Sequence, residues 1–165
     1  MKNKIIEGQL TFSFTEPTAT KYDEWSFYRN QFNAVCGGTK AVDLLYLEQQ
    51  NFWLIEIKDY RQHTRTKTID LADEIALKVR DTLAGLVAAQ VNANEQIERD
   101  FAKEALKKKR IQVVLHLEQP IHTSRLFPRA INPADVKLKL RQKVRAIDTH
   151  PLVVDQKNKM LWSVT

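Results

Sequence analysis

Residues 41–60 of the chain read AVDLLYLEQQNFWLIEIKDY, and this stretch decides the predicted fold. Two runs rich in leucine, isoleucine, tyrosine and tryptophan are separated by the polar residues Gln49, Gln50 and Asn51. Apolar runs joined by a short polar segment are typical of a β-hairpin. The turn lacks the favoured Asn-Gly pair, so the register has to be inferred from the residues that it would pair.

A turn at Gln49 and Gln50 brings the charged residues of the hairpin together. In that register Asp43 lies directly opposite Glu56, with the two Cβ atoms roughly 5 Å apart. Lys58 follows two residues after Glu56 and therefore lies on the same face of the hairpin. A turn one residue later would place Asp43 opposite Lys58, and the three side chains would still share a face. The hairpin thus predicts a charged group at one end of an apolar surface.

This charged group has the parts needed for phosphodiester hydrolysis. Two partly buried carboxylates repel each other and tend to take up protons unless a cation holds both in the ionised form. Lys58 offsets one charge, and Mg²⁺, which prefers oxygen ligands, would offset the other. A bound Mg²⁺ lowers the pKa of its water so that hydroxide attacks phosphorus, and Lys58 would orient that water or stabilise the developing charge. The alternative is a salt bridge between Asp43 and Lys58 on a solvated face, worth about 0–1 kcal/mol, which leaves Glu56 unexplained.

The rest of the chain predicts an α/β fold around this hairpin. Apolar residues alternate in an early segment, recur at helical spacing in several others, and are concentrated in the β-branched run IQVVLHL. The resulting order of elements is typical of one α/β domain, here assigned to residues 1–165, with a central mixed β-sheet flanked by helices. The predicted segments besides the first hairpin are a strand over 9–14, helices over 22–32, from Thr68 or Asp70 onwards and from Asn132 onwards, a strand over 111–117, and a second hairpin that pairs 152–154 with 160–164.

An acidic residue early in one strand, followed by Glu-Ile-Lys in the next, resembles the PD-(D/E)xK nuclease superfamily. The predicted order of helix, hairpin, helix and strand is also similar to the restriction-endonuclease-like core of those enzymes. The resemblance implies that Asp43 and Glu56 are ligands of Mg²⁺ or Mn²⁺ and that Lys58 is the catalytic lysine. It also implies that the backbone carbonyl of Ile57 contributes to the metal site, with Glu24 on the first helix as a further ligand.

Two positions leave this resemblance incomplete. Val42 precedes Asp43 where the written motif has proline. Glu24 is better explained as a surface residue of a helix, since Asp23 beside it would serve as well. The resemblance implies a Mg²⁺-dependent endonuclease that acts on DNA. Because the chain has no obvious separate recognition domain, we expect the specificity of such an enzyme to come from a homodimer, a partner subunit or a neighbouring protein. Because the superfamily includes members that only bind, the alternative is a non-catalytic nucleic-acid- or protein-binding module on the same fold.

Four basic residues follow directly on the second strand of the hairpin, where a phosphate backbone would pass. They are Arg61, His63, Arg65 and Lys67. Such residues fix the position of a nucleic acid without reading its sequence. The alternative is a solvated basic loop.

Composition and charge indicate a globular protein with an anionic partner. The apolar share is 43%, the charged share 28% and the formal net charge +6, which suits nucleic acid. No stretch approaches ~18 consecutive apolar residues, so we expect no membrane span. The single cysteine excludes an internal disulfide, and the first residues lack a secretory signal, so we expect a cytoplasmic protein. The histidines lack zinc spacing and the chain lacks a Gly-rich phosphate loop, which argues against structural zinc and ATP hydrolysis.

Overall fold

The computed structural model describes residues 3–16, 18–122, 125–126 and 130–165, and these form two sheets and a layer of helices. The strands are β1 (Asn3–Glu7), β2 (Leu10–Phe14), β3 (Ala19–Lys21), β4 (Leu44–Glu48), β5 (Asn51–Asp59), β6 (Arg110–Glu118), β7 (Leu152–Val154) and β8 (Trp162–Val164). The α-helices are α1 (Leu71–Asn92), α2 (Gln96–Leu106) and α3 (Pro133–Val144). One sheet is mixed, with the order β3-β4-β5-β6-β7, and the other is antiparallel, with the order β1-β2-β8. The predicted α/β class with a mixed sheet is confirmed.

The first hairpin has the register inferred from its charged residues. β4 and β5 pair antiparallel, with Leu45 opposite Leu54 and Glu48 opposite Asn51. The turn therefore consists of Gln49 and the residue after it, and Gln49 takes a positive φ of 44°. β5 also pairs in parallel with β6, so the second strand of the hairpin lies at the centre of the mixed sheet. Near the end of β5 Lys58 contacts Glu74 of α1, so this end of the strand lies against the helical layer.

Helix α1 covers one face of the mixed sheet. Asp70 caps its N-terminus by accepting a hydrogen bond from the N–H of Ala72 at 2.9 Å, one of the two predicted caps. The helix packs against both α2 and α3. Its buried residues include Leu71, Ile75, Val79 and Leu86, as their helical spacing predicted. None of the helices in the described part of the chain is long and apolar enough to cross a membrane.

The first predicted helix is broken, which corrects the sequence prediction. A 3₁₀ turn over Tyr22–Glu24 is followed by an extended Trp25, with ψ of 136°, and then by a π-helical turn over Tyr28–Phe32. The break arises because the buried carboxylate of Glu98 accepts the N–H groups of the two residues after Trp25, at 2.7 and 3.0 Å. A carboxylate that satisfies two N–H groups starts a new helical turn at that point.

The antiparallel sheet covers the other face of the mixed sheet. Aromatic side chains dominate the buried layer between them: Phe12, Phe14, Tyr46, Trp53 and Trp162. The predicted C-terminal hairpin is wrong, because β7 joins the mixed sheet beside β6 and β8 joins the antiparallel sheet beside β2. Val154 and Trp162 both bury their side chains in the layer between the sheets, so the chain crosses from one sheet to the other instead of turning back on itself.

Candidate functional site

Glu56 is the centre of the candidate site. It lies on β5, and its side chain is 0% exposed. Its Oε1 atom lies 2.8 Å from Nζ of Lys58 on the same strand and accepts a hydrogen bond from Nζ of Lys78, on α1, at 2.6 Å. Its Oε2 atom has no hydrogen-bond partner among the described protein atoms. A buried carboxylate is costly unless it is paired, so the two lysines are what make this position tolerable.

Asp43 lies immediately before β4 and faces the same end of the hairpin. Its Oδ2 atom accepts the N–H of Ile57 at 2.7 Å, and its Oδ1 atom lies 3.8 Å from Nζ of Lys78. Burial raises the pKa of the Asp43 carboxyl to about 7, and the nearby charge of Glu56 adds to the shift. Asp43 and Glu56 thus share Lys78 as a neighbour, and that they form a functional site stays a prediction.

Glu74 is a third carboxylate, one turn before Lys78 on α1. Its Oε1 atom lies 3.1 Å from Nζ of Lys58 and 2.7 Å from Nζ of Lys67, and its Oε2 atom lies 2.7 Å from Arg65. Burial raises the pKa of Glu74, but hydrogen bonds from Lys67 and Arg65 and the charge of Lys58 outweigh it, and the pKa falls to about 2. Because residues four apart share a helix face, Glu74 and Lys78 both point at the hairpin.

These residues form one charged cluster, which consists of Asp43, Glu56, Lys58, Glu74 and Lys78. Three of its members were predicted together from the hairpin, and Glu74 and Lys78 were missed. The sequence held one signal that could have identified them. Glu74 and Lys78 are four residues apart, so they share a face of α1 next to its buried apolar residues. The side chains of Asp43, Lys58 and Lys78 are 15–17% exposed, so the cluster reaches solvent at one side. There Asp43, with its pKa of about 7, can exchange a proton near neutral pH.

Most of the predicted nucleic-acid-binding loop is engaged in internal contacts. Arg61 pairs with Asp59 at 2.6 Å. Arg65 contacts Glu74 and donates to the hydroxyl of Tyr60 at 3.1 Å. Lys67 contacts Glu74 but remains 56% exposed, and His63 is exposed. That these four residues contact nucleic acid stays a prediction.

The predicted metal ligands are only partly brought together. Glu24 pairs with Lys21 at 2.9 Å and lines a groove at the sheet edge, apart from the charged cluster. The ammonium of Lys78 already stands between Asp43 and Glu56, so a divalent cation at that position would have to displace it. In the described ranges no group of three or more metal-ligating side chains gathers. Ligation of Mg²⁺ or Mn²⁺ by Asp43, Glu56 and the carbonyl of Ile57 stays a prediction.

Helix α3 carries a separate basic surface that sequence reasoning did not single out. Lys137 and Arg141 of α3 and Arg145, the helical residue that directly follows it, are exposed at intervals of four residues. None of the three has an ion-pair partner in the part of the chain that the structure describes. On the adjacent face of the helix, Lys139 pairs with Asp70 and Lys143 with Asp73, each at 2.8 Å. We call Lys137, Arg141 and Arg145 the basic stripe of α3.

The comparison with known proteins gives one informative relative. The cysteine–tRNA ligase of Neisseria meningitidis (serogroup A, strain Z2491) is 37% identical to this chain over an alignment of 163 residues. The match covers 80% of this chain and 23% of the ligase, so the chain spans about a quarter of the length of that relative. No family model matches the chain, and no solved structure matches it.

This relative contradicts the nuclease interpretation. It is a ligase, whereas the predicted PD-(D/E)xK nuclease would hydrolyse phosphodiester bonds in DNA. The predicted superfamily and the predicted Mg²⁺-dependent endonuclease activity are therefore corrected. The alternative, a binding module on the nuclease fold, gains no support. The physical reason for the error is that the motif is short, and an ion cluster in which Glu56 is held by Lys58 and Lys78 satisfies the same pattern of residues.

Replacing Glu74 by glutamine is expected to remove part of the protein's sensitivity to acid. The pKa of Glu74 is about 2 in the folded chain, below its ordinary 4.5. Its ion pairs therefore stabilise the fold fully above pH 4.5 and are lost as the pH falls through 2. We expect E74Q to lower the free energy of unfolding by about 1–2 kcal/mol at pH 6, a value reduced by solvent screening at the exposed Lys67.

Urea denaturation of both proteins between pH 6 and pH 3 measures this effect. The difference between wild type and E74Q should shrink as the pH falls. E104Q is the matched control, because Glu104 forms an exposed pair with Lys107 and should change little at any pH. A difference between wild type and E74Q that stays constant over this range would contradict the role given to Glu74.

Proposed function

We propose that this chain is a tRNA-binding module. The observation that carries the proposal is the 37% identity to part of a protein named for its action on tRNA. The formal net charge of +6 supports it, since the backbone of any RNA is a polyanion and its affinity for proteins is dominated by lysine and arginine. The partner is thus RNA, in place of the DNA that the nuclease interpretation implied.

The basic stripe of α3 is the surface best suited to this role. Lys137, Arg141 and Arg145 lie on one face of the helix over roughly 12 Å, and their charges are not cancelled by described acidic residues. Unpaired basic side chains release condensed counterions when they bind phosphates, whereas cations already held by carboxylates contribute less. The basic stripe is therefore a stronger candidate for the tRNA-binding surface than most of the basic loop.

The exposed part of the basic loop extends this surface. Lys67 contacts Glu74 in the first turn of α1, and the cap of the same helix, Asp70, contacts Lys139 of α3. The two salt bridges connect the loop, α1 and α3 into one continuous face. Lys67 and His63 would add contacts to phosphates at its edge, in agreement with their predicted role.

We assign binding, and not ligation, to this chain. The match covers 23% of the ligase, and the residues of the charged cluster are already joined to one another in ion pairs. A domain that binds the phosphate backbone of tRNA needs no reactive side chain of its own. A cytoplasmic location and a homodimer or partner subunit stay predictions.

Removing the basic stripe is expected to weaken tRNA binding. The triple variant K137A/R141A/R145A should bind total tRNA at least about ten-fold more weakly at 0.1 M salt, and the slope of log K against log salt should fall by about 2–3. Fluorescence anisotropy with labelled tRNA at several salt concentrations measures both quantities. The side chains are exposed, so the variant should fold.

The matched control removes the same charge elsewhere. K103A/K157A/K159A replaces three exposed lysines outside α3 and should retain most of the affinity and the salt slope. Equal losses in the two triple variants would mean that only overall charge matters. Unchanged binding by the stripe variant would overturn the assignment of the surface, and no binding by wild type would overturn the proposed function.

A further inference from the structure

Two strand edges and one helix enclose a groove on the side of the molecule away from α3. β3 is the outer strand of the mixed sheet, and β1 is the outer strand of the antiparallel sheet. The two approach each other where the side-chain amide of Asn3 donates to the carbonyl of Ala19 at 2.8 Å. Helix α2 forms the opposite wall of the groove, whose volume is about 770 Å³.

The walls of the groove are unusually apolar for an exposed surface. Ile6 of β1 is 66% exposed, and Ile97 of α2 is 78% exposed. Phe101 lies four residues after Ile97 and therefore on the same face of α2, and Trp25 and Leu47 also line the groove. Clustered exposed apolar side chains rimmed by charges mark interaction sites.

The backbone along the groove lacks a strand partner. The carbonyl of Thr18 accepts the N–H of Leu47 in β4, and the N–H of Tyr22 donates to the carbonyl of Asp43 just before β4, each at 3.1 Å. In an antiparallel pair alternate residues point their N–H and C=O groups to opposite sides, so Ala19 and Lys21 direct theirs away from β4. The carbonyl of Ala19 already accepts the amide of Asn3, which leaves the N–H of Ala19 and the N–H and C=O of Lys21 for an added strand. Within the described ranges β3 pairs with β4 alone, and β1 with β2 alone. Such edges accept an added extended strand.

The charge around the groove is the reverse of the charge of the whole chain. Its lining carries the acids Glu24, Glu98, Asp100 and Glu104 against the bases Lys4 and Lys21. Lys21 pairs with Glu7 at 2.7 Å and with Glu24 at 2.9 Å, and Glu104 pairs with the exposed Lys107 at 2.7 Å. A shallower depression that shares Glu104 adds Glu16 and Glu48 against Lys108, so acids outnumber bases along this edge. In a chain with net charge +6, this acid-rich edge repels a polyanion and attracts a basic segment.

We propose that this groove binds an extended segment of a protein partner in which lysine or arginine alternates with aliphatic side chains. The segment lies along the edge of β3. Its aliphatic side chains point into the groove towards Ile97 and Phe101, and its basic side chains, on the other face of the segment, extend to the acidic residues at the rim. The inference does not depend on tRNA binding, because the groove and the basic stripe are on opposite sides of α1. Both partners can therefore be bound at once.

Fluorescence anisotropy with a labelled octapeptide that alternates lysine with valine or leucine tests the proposal. We expect saturable binding to wild type, and at least about ten-fold weaker binding to I97K, which removes an apolar contact and adds a repelling charge. V91K is the matched control, because Val91 is equally apolar and 69% exposed but lies on α1 outside the groove. It should bind within about two-fold of wild type.

Two further peptides test the contributions of charge and of strand pairing to the affinity one at a time. The same octapeptide with glutamate in place of lysine should bind at least about ten-fold more weakly. A basic octapeptide with two central prolines should also lose affinity, since proline cannot donate to a strand edge. Equal binding of the basic and acidic peptides, equal effects of I97K and V91K, or no binding at millimolar peptide would overturn the proposal. So would a concentration-dependent dimer that I97K abolishes and V91K retains, because the groove would then belong to a second copy of the chain.

Discussion

Asp43→Asn is expected to raise the free energy of unfolding at pH 7 by about 2–4 kcal/mol. In the folded chain burial and the charge of Glu56 raise the pKa of Asp43 from 3.8 to about 7, which at about 1.4 kcal/mol per unit corresponds to a cost of up to about 4 kcal/mol. An asparagine carries no charge to bury, and its carbonyl oxygen can still accept the N–H of Ile57. The carboxylate therefore destabilises the fold at neutral pH.

The pH dependence of this effect has a definite sign. A carboxyl whose folded pKa is raised favours the folded state most below its unfolded pKa, and that advantage is lost as the pH rises from about 4 to about 7. Wild type and D43N should thus be equally stable near pH 4 and differ most above pH 7. Urea denaturation at pH 4, 5.5, 7 and 8 measures the difference. D135N, at an exposed carboxylate on α3, is the control and should change stability by less than about 0.5 kcal/mol.

The outcome bears on whether the charged cluster is functional. Carboxylates that lower stability at working pH are concentrated at functional sites, because selection retains them for a task other than folding. A stabilising D43N would agree with a functional role for Asp43. A destabilising D43N at pH 7 would mean that Lys78 compensates the charge fully and that the cluster is structural.

Gly85→Ala is expected to lower the free energy of unfolding by about 2 kcal/mol, although alanine favours a helix by about 1 kcal/mol. A Cβ atom at position 85 would lie 2.0 Å from the hydroxyl oxygen of Tyr22 and 3.1 Å from Cδ1 of Phe32. Tyr22 is 0% exposed and its ring is packed in the core, so it cannot move aside cheaply. Overpacking therefore outweighs the gain in helix propensity.

Tyr22→Phe provides the control for this prediction. The Tyr22 hydroxyl is buried and has no hydrogen-bond partner among the described protein atoms, and burial raises its pKa. Removing it should leave stability unchanged or raise it by up to about 1 kcal/mol. In the double variant Y22F/G85A much of the loss should be recovered, which a double-mutant cycle in urea would show. An equal loss from G85A in both backgrounds would contradict the proposed clash.

The parts of the fold that local interactions dominate could be predicted from the sequence. Alternation along two short strands narrowed the hairpin to two registers, and the one with Gln49 and Gln50 as the turn is observed. Both registers place Asp43, Glu56 and Lys58 on one face. Helix α1 follows from its apolar period and from the cap at Asp70. β1 and β3 were missed, because short edge strands carry too few residues for a pattern to show.

The function of the hairpin residues could not be predicted in this way. Their types and spacing suit both a hydrolytic metal site and an ion cluster, and they do not distinguish the two. The hydrolytic interpretation was contradicted by the relative named as a cysteine–tRNA ligase, whose similarity extends over most of the chain and not only over the motif. Similarly, the basic loop is prominent in the sequence, but Glu74 engages Arg65 and Lys67 there, while α3 carries the unpaired charges.

The sequence by itself determined the shared face of Asp43, Glu56 and Lys58 and the buried side of α1, because each depends on neighbours a few residues apart. Only the tertiary structure decided which side chains these charged residues contact. Helix α1 crosses the sheet so that Lys78 lies between the two carboxylates, and Glu98 interrupts a helix more than 70 residues earlier in the chain. Such contacts depend on the packing of distant elements, which residue spacing along the chain does not encode.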